Sequence, residues 1–439
     1  MKPIRFLALF AFFLTVGGLV FAQSEDALLN KLVEKGILTQ KEAADLRREA
    51  DKDFTTAYSA KSGMPAWVTS LKFSGDLRLR YDSAYFEAPS IADWYRFRYR
   101  LRFGMVAVLK DDFEVGFRLA SGTGNPTSVN QTFQNNASKK EIRVDLAYAK
   151  WFAVNNPNWG LSLTGGKMEN PFGTQELLFD IDYTPEGAAQ QLFWNINPKH
   201  TVRFTGGEFV INELPKSGND PFVLAGQIRL DSAWSTNWQT SLGAMGLGLV
   251  HGTDISRADL GGSYWDYAAG NTHTGIGPNS RLAHNMTPWQ FEGAVTYFVV
   301  KPLAFYPGRL PVRVAGQIIH NPSAPDSNTG WLAGGSIGKA GKRGTWELNY
   351  KFRWLEGDAW WDSIVDDDTF AAYGVTSIYG TEGVHSGTNL RSHIVSLQYC
   401  PRDFLLIGVR YYHNALIQTV PNGYPSADNR FLVDMVWKF

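Results

Sequence analysis

The stretch of sequence that most constrains the fold is WYRFRYRLRFGMVAVL, residues 94–109. Large apolar side chains alternate there with arginines: Tyr95, Phe97, Tyr99, Leu101 and Phe103 share one parity, and Arg96, Arg98, Arg100 and Arg102 share the other. This period of two predicts a β-strand, because successive side chains of a strand point to opposite faces. Ionised guanidinium groups cannot face a dry core. One face of the strand therefore meets water, and the other face meets an apolar environment.

The same alternation recurs along the chain, and it predicts about sixteen strands, with 14 or 18 as alternatives. Many of the segments have roughly 9 to 13 residues, close to the length that a tilted strand needs to cross a bilayer. They are residues 71–82, 94–109, 113–121, 141–154, 159–168, 188–195, 199–210, 222–231, 237–249, 288–300, 311–320, 330–339, 344–356, 390–400, 403–413 and 428–439.

The connections between these segments alternate between tight turns, such as 110–112 and 401–403, and long loops, such as 122–140, 250–287 and 357–389. This alternation is typical of bacterial outer-membrane barrels. A soluble β-sandwich, the alternative fold, has no reason to segregate loops by length. The predicted fold is therefore all-β and membrane-bound: a closed antiparallel transmembrane β-barrel of about 16 strands over residues 71–439, preceded by a short N-terminal helical hairpin.

The N-terminus and the composition predict export. Residues 1–22 begin with Lys2 and Arg5, continue with an apolar run and end at Ala22, which is the layout of a cleaved signal peptide. The alternative, a membrane anchor, needs about 20 apolar residues, more than this run contains. Without these 22 residues, 40 basic side chains face 42 acidic ones, a formal charge of −2 that gives no support for nucleic-acid binding. Cys400 is the sole cysteine, so no intramolecular disulfide can form.

Residues 23–52 form a separate module. Leucines at helical spacing precede Gly36, and Thr39 with Glu42 makes a capping box that begins a second helix. We expect a helical hairpin that lies in the periplasm, followed by a linker at residues 53–70. A loosely ordered leader is the alternative interpretation.

Three stretches resemble the putative porin family of Gram-negative outer membranes: LLNKLVEKGILTQKEAADLRREA in the hairpin, FSGDLRLRYD in the first strand, and GGKMENPFGTQELLFDIDYTPEGAAQQ further along. The resemblance covers essentially the whole chain after residue 22. It implies a pore-forming barrel for passive diffusion of small hydrophilic solutes or ions, contact with outer-membrane lipids, and a homotrimer. It implies neither a substrate nor a cofactor.

Strand parity predicts which side chains line the pore. A 16-stranded barrel encloses an aqueous channel, so lumen-facing guanidiniums stay hydrated, and rings of fixed charge bias which ions pass. Lumen acids offset them, so the hint of anion preference is weak. The arginines on the polar parity are Arg78, Arg80, Arg96, Arg98, Arg100, Arg102, Arg118, Arg143, Arg203 and Arg313.

The loop at residues 169–187, ENPFGTQELLFDIDYTPEG, combines acids with apolar side chains such as Leu177 and Phe179. Loops that carry buried-looking apolar residues fold onto something. We expect this loop to enter the lumen and form a constriction opposite the arginines. A loop over a neighbouring subunit and an extra wall hairpin remain alternatives. The acids of the loop are Glu169, Glu176, Asp180, Asp182 and Glu186.

The chain ends in FLVDMVWKF, a strand whose apolar parity includes Trp437 and Phe439. We expect it to pair with residues 71–82, because closure removes both free edges of the sheet. In proteins of the resembling family, a terminal phenylalanine is also the signal for the outer-membrane assembly machinery. Tryptophans near strand ends, namely Trp94, Trp151, Trp354 and Trp437, suit the interfacial girdles of a barrel.

The remaining motifs predict no catalysis and no metal site. Ser336 matches G-x-S-x-G but lacks the strand–turn–helix context of a nucleophile elbow. The acidic stretch DSIVDDD, with Asp362, Asp366, Asp367 and Asp368, lacks EF-hand spacing and favours a solvated charge cluster over a calcium site. Two other functions stay open: an outer-membrane tether that uses the hairpin at 23–52, and a barrel enzyme such as a lipase.

Overall fold

The computed structural model describes residues 64–88, 91–173, 176–214, 218–260, 270–275, 279–300, 305–373, 383–419 and 427–439. The chain divides into two compact units, residues 1–69 and 70–439. The predicted signal peptide, helical hairpin and most of the linker lie outside the described residues. Those assignments therefore stay predictions. No helix among the described residues is long and apolar enough to span a bilayer.

Sixteen long strands of the described chain form the wall, and five short strands lie in the connections. In chain order they are β1 (Val68–Tyr85), β2 (Trp94–Leu109), β3 (Phe113–Ser121), β4 (Gln131–Thr132), β5 (Ile142–Asn155), β6 (Trp159–Lys167), β7 (Glu186–Asn197), β8 (His200–Val210), β9 (Phe222–Ala233), β10 (Trp238–Val250), β11 (His273–Thr274), β12 (Arg281–Leu282), β13 (Trp289–Val299), β14 (Leu310–His320), β15 (Thr329–Gly338), β16 (Trp346–Leu355), β17 (Phe370–Tyr373), β18 (Gly383–Ser386), β19 (Leu390–Arg402), β20 (Leu405–Leu416) and β21 (Ala427–Lys438). Short 3-10 turns occur at Gly252–Asp254, Arg257–Leu260 and Asp362–Ile364.

The wall closes on itself. Each wall strand pairs antiparallel with its neighbours, and β1 pairs with β21 from Asp76 opposite Lys438 to Tyr85 opposite Asn429. The backbone of Phe439 continues this pairing, because its N–H and carbonyl both hydrogen-bond to Gly75. The predictions of a closed antiparallel barrel with sixteen wall strands and a seam at the C-terminal strand are confirmed.

The alternation in the sequence is the inside–outside alternation of the wall. Outward side chains such as Phe97, Leu242 and Val314 are exposed, although they are large and apolar. Inward neighbours such as Arg96 and Arg313 carry charge. A broad apolar outer surface is unstable in water and suits a lipid environment.

The connections are segregated by length, as predicted. One end of the barrel carries tight turns such as 110–112 and 156–158, and the other end carries long connections such as 122–141, 251–288 and 356–389. The long connections bring apolar side chains inside the barrel, where they form its core with inward wall residues. This core includes Phe172, Leu177, Leu178, Phe179, Phe209, Met245, Leu247, Met286, Ile319, Leu355, Trp360, Trp361 and Ile364.

Candidate functional site

Strands β1, β2 and β21 build a dense network of arginines and aspartates on the inner face of the barrel. Asp82 is the centre of one part: its carboxylate lies 3.0 Å from Arg430 Nη2, 2.8 Å from Arg96 Nη2 and 3.5 Å from Arg98 Nη1. Asp82 has no exposed surface. Because strand parity stacks these charges on one face, each guanidinium shares a carboxylate instead of standing alone in the lumen.

A second part of the network lies closer to the tight-turn end. Asp76 accepts hydrogen bonds from Arg100 at 2.9 Å and from Arg102 at 2.7 Å. Asp182, which comes from a loop, lies 3.4 Å from Arg100 and 3.7 Å from Arg102. Arg100 and Arg102 on β2 therefore contact both Asp76 on the neighbouring strand β1 and Asp182 of the loop.

That loop, residues 168–185, is here named inner loop 1. Its apolar side chains are buried in the barrel core, as the sequence indicated. Its acids contact wall cations at several points: Glu169 lies 2.6 Å from Arg118, and Glu176 lies 2.5 Å from Lys351. The loop therefore crosses the lumen and reaches the wall on both sides.

A second connection also enters the barrel, and its described residues 356–373 are here named inner loop 2. Asp368 lies 3.0 Å from Arg80, 3.2 Å from Arg430 and 3.3 Å from Arg410, and Asp366 lies 3.3 Å from Arg353. The expectation of a solvated charge cluster at 366–368 is wrong. Asp366 and Asp368 are partly buried and paired because the aromatic residues that precede them pack inside the barrel.

The two inner loops are joined directly. Trp360 Nε1 donates to the Leu178 carbonyl at 2.9 Å, Asp180 N donates to the Ile364 carbonyl at 2.8 Å, and Asp367 N donates to Asp180 Oδ2 at 3.1 Å. Apolar packing and these hydrogen bonds therefore join the two loops into a single packed unit within the lumen.

Loop aspartates at this junction have shifted pKa values, and the shifts go in both directions. Burial, with the neighbouring carboxylates of Asp367 and Asp366, raises the pKa of Asp180 well above its usual range. Burial, with Asp368 and Asp366, raises the pKa of Asp367 to about 7. Asp368 shows the opposite balance: burial opposes its ionisation, but Arg80, Arg430 and Arg410 hold its pKa well below the usual range.

A cavity of about 780 Å³ lies against the inner loops and is lined by both loops and the wall. Six basic and six acidic side chains line it: Arg102, Arg118, Arg229, Lys351, Arg353 and Arg410, and Glu169, Glu176, Asp180, Glu347, Asp366 and Asp368. Such a surface can pass hydrated solutes and can hold either ion sign locally.

The other predicted pore arginines lie at different points of the inner face. Arg78 donates to Asn130 at 2.5 Å, and Arg203 lies 3.3 Å from Asp231. Arg313 lines a separate cavity of about 230 Å³ together with Glu176. Arg143 forms an exposed ion pair with Glu141. These positions are spread over the wall and do not form a single ring.

Two placements inferred from the sequence are wrong. Glu186 is the first residue of β7 instead of a loop residue, and it shares the outward parity of the exposed Trp194, where it pairs with Lys167 at 3.0 Å. Trp94 shares the inward parity of Arg96 and packs on Phe370 of inner loop 2, with ring centroids 5.2 Å apart. It therefore faces the lumen and belongs to no outer girdle.

Several lumen cations were not singled out from the sequence. The same alternation rule that selected Arg80 would have selected them, since they occupy the polar parity of β9, β16, β20 and β21. They are Arg229, Lys351, Arg353, Arg410 and Arg430.

Residues 89–246 match the family model described as putative porin. No curated protein matches the sequence. Among solved structures, OprB of Pseudomonas putida at high pH is 10% identical over 84% of this chain and 94% of that chain, with a TM-score of 0.52, and it has the same barrel fold. DcaP of Acinetobacter baumannii is 12% identical over 84% of this chain and 97% of that chain, with a TM-score of 0.41. A trimer form of OmpT of Vibrio cholerae is 9% identical over 84% of this chain and 99% of that chain, with a TM-score of 0.44.

Proposed function

We propose that this chain, whose residues 89–246 match the putative porin family, forms an outer-membrane channel for passive diffusion of small hydrophilic solutes or ions. The observation that carries the proposal is the closed sixteen-stranded wall, apolar outside and lined inside with paired charges around a cavity of about 780 Å³. An apolar exterior fits lipid, and a charged interior fits water and ions.

The proposed constriction lies between inner loop 1 and the wall. Its acids are Glu169, Glu176, Asp180 and Asp182, and they stand opposite the proposed pore-lining arginines. Planar-bilayer conductance of the purified protein tests the channel. We expect stepwise single-channel currents in potassium chloride. A folded protein that inserts and carries no current would contradict the proposed function.

The Glu176–Lys351 pair predicts a change in ion selectivity. One unpaired charge about 7 Å from a passing ion in water contributes about 0.6 kcal/mol, which changes relative permeability roughly threefold. Glu176→Gln leaves Lys351 unpaired, so we expect a shift of this size toward anions. Lys351→Gln leaves Glu176 unpaired and shifts permeability toward cations. Reversal potentials in a salt gradient measure both.

The double variant Glu176→Gln/Lys351→Gln is the matched control. It removes both charges, so its reversal potential should return close to that of the wild type. If either single variant keeps the wild-type reversal potential, the pair lies outside the permeation path and the proposed constriction is wrong at this position.

The proposal extends to maturation and assembly. Residues 1–22 are removed on export, residues 23–52 lie in the periplasm, the barrel contacts outer-membrane lipids, and three copies form a homotrimer. The outer-membrane assembly machinery recognises the C-terminal strand through Trp437 and Phe439. Support comes from the seam: Phe439 is exposed and packs against Gly75, where an added Cβ would lie 2.5 Å from its ring.

Deletion of Phe439 is expected to reduce the amount of folded barrel in the outer membrane, because it removes the aromatic terminus and two backbone hydrogen bonds to Gly75. Heat-modifiable migration of outer-membrane fractions on gels measures this amount. Phe439→Tyr keeps the ring and the backbone, so it should assemble normally. Normal assembly of the deletion variant with altered conductance would show that Phe439 serves the pore and not assembly.

A further inference from the structure

The junction between the two inner loops holds three carboxyl groups close together. Oxygen atoms of Asp180, Asp366 and Asp367 all lie within 4.8 Å of one another. Asp180 is buried and comes from inner loop 1, whereas Asp366 and Asp367 are partly buried and come from inner loop 2. The group is thus shared by two segments that are far apart in the sequence.

Nearby positive charge does not neutralise all three groups. Among the described residues, the one ion pair of this trio joins Arg353 to Asp366, at 3.3 Å. Carboxylates this close repel one another when ionised, so such a cluster favours the retention of a proton. The backbone hydrogen bond from Asp367 N to Asp180 Oδ2 holds the carboxyls at this separation while the junction is closed.

We propose that this trio is a proton-dependent latch: a proton shared among Asp180, Asp366 and Asp367 keeps the two inner loops joined, and its loss separates them and widens the channel. The inference rests on the proposed channel function and adds a form of regulation to it. Deprotonation places like charges on both sides of the junction, and their repulsion acts directly on the contact between the loops.

The charged and titratable groups around the latch come from every neighbouring element. Inner loop 1 also contributes Asp182, and inner loop 2 also contributes Asp368. Asp368 forms ion pairs with Arg80, Arg430 and Arg410 and stays ionised, so it adds negative charge beside the latch. The wall contributes Arg98 from β2, Arg353 from β16, Arg410 and Tyr412 from β20, and Arg430 from β21.

The pH dependence has a definite sign. The raised pKa of Asp367, about 7, means that the joined state binds a proton that the separated state releases. The stability of the junction is therefore highest in acid and falls as pH rises from the ordinary aspartate range toward 7. In the range where one proton is released on separation, each pH unit shifts the opening equilibrium by about tenfold.

Single-channel conductance between pH 5 and pH 9, in potassium chloride with a chelator, tests the latch. We expect wild-type conductance to rise as pH increases toward 7 and to level off above pH 7, where the joined state also loses the proton. Asp180→Asn and Asp367→Asn keep side-chain size and cannot ionise, so each should reduce the rise or hold conductance at the acid level. Glu141→Gln, an exposed acid outside the inner loops whose cation partner is Arg143, is the control and should keep the wild-type profile.

Hydrogen exchange of the Asp180 and Asp367 backbone amides, corrected for its intrinsic pH dependence, measures how often the junction opens. It needs only the wild-type protein. Protection should fall as pH rises toward 7 and should level off above pH 7. The latch is overturned if conductance is independent of pH, if the asparagine variants keep the wild-type rise, or if amide protection is unchanged. Restoration of the acid-level conductance at pH 8 by millimolar calcium would assign the trio to a cation instead. Absence of current at every pH would contradict the channel itself.

Discussion

Asp82→Ala is expected to lower the free energy of unfolding by about 3–5 kcal/mol, the usual cost of removing one partner of a buried ion pair. Asp82 is fully buried on β1, and Arg430 donates to it through Nε and Nη2, both at 3.0 Å. Arg96 donates to the same carboxylate at 2.9 Å. Without Asp82, neighbouring guanidiniums lose a shared counter-charge and repel one another across the barrel seam.

The exposed pair Glu141–Arg143 provides the control. Its side chains are 71% and 47% exposed, so Glu141→Ala should change the free energy of unfolding by about 0–1 kcal/mol. Urea unfolding in phospholipid vesicles, followed by tryptophan fluorescence, measures both variants. Equal effects at the two sites would mean that burial of Asp82 does not decide the strength of its ion pairs.

The wall could be predicted from the sequence because each strand carries its own signal. The alternation in residues 94–109 is complete within the segment, and β2 has those bounds in the structure, Trp94–Leu109. The closing strand pairs with β1 because both alternate and neither edge can stay open in lipid. Local pattern and closure are sufficient for the fold.

The interior could be predicted only in part, because its contacts join residues far apart in the sequence. Apolar side chains beside acids marked inner loop 1, and they are buried in the core. Inner loop 2 carries the same signal in Trp360 and Trp361, but its acidic run suggested a solvated loop. The pairing of Asp368 with Arg80 depends on barrel closure and on the packing of both loops. No local pattern encodes it.

Trp360→Ala is expected to separate the inner loops and raise the conductance of the channel. Trp360 is fully buried, donates to the Leu178 carbonyl at 2.9 Å, and packs edge-on against Phe179 with ring centroids 6.4 Å apart. Truncation of a buried tryptophan costs about 3–5 kcal/mol, which shifts a local opening equilibrium by roughly 10²- to 5 × 10³-fold. The wall strands keep their own pairing, so the barrel should still insert.

Trp360→Phe separates packing from hydrogen bonding. It keeps most of the buried ring and loses only the bond to Leu178, a loss of about 1 kcal/mol. Its conductance should therefore lie much closer to the wild type than that of Trp360→Ala. Single-channel recordings at about pH 4, near the ordinary aspartate pKa and so below most of the range where the latch releases its proton, compare the variants while the latch stays protonated. If Trp360→Ala inserts and conducts like the wild type, the contact between the inner loops does not limit the pore, and permeation must be set by the wall charges alone.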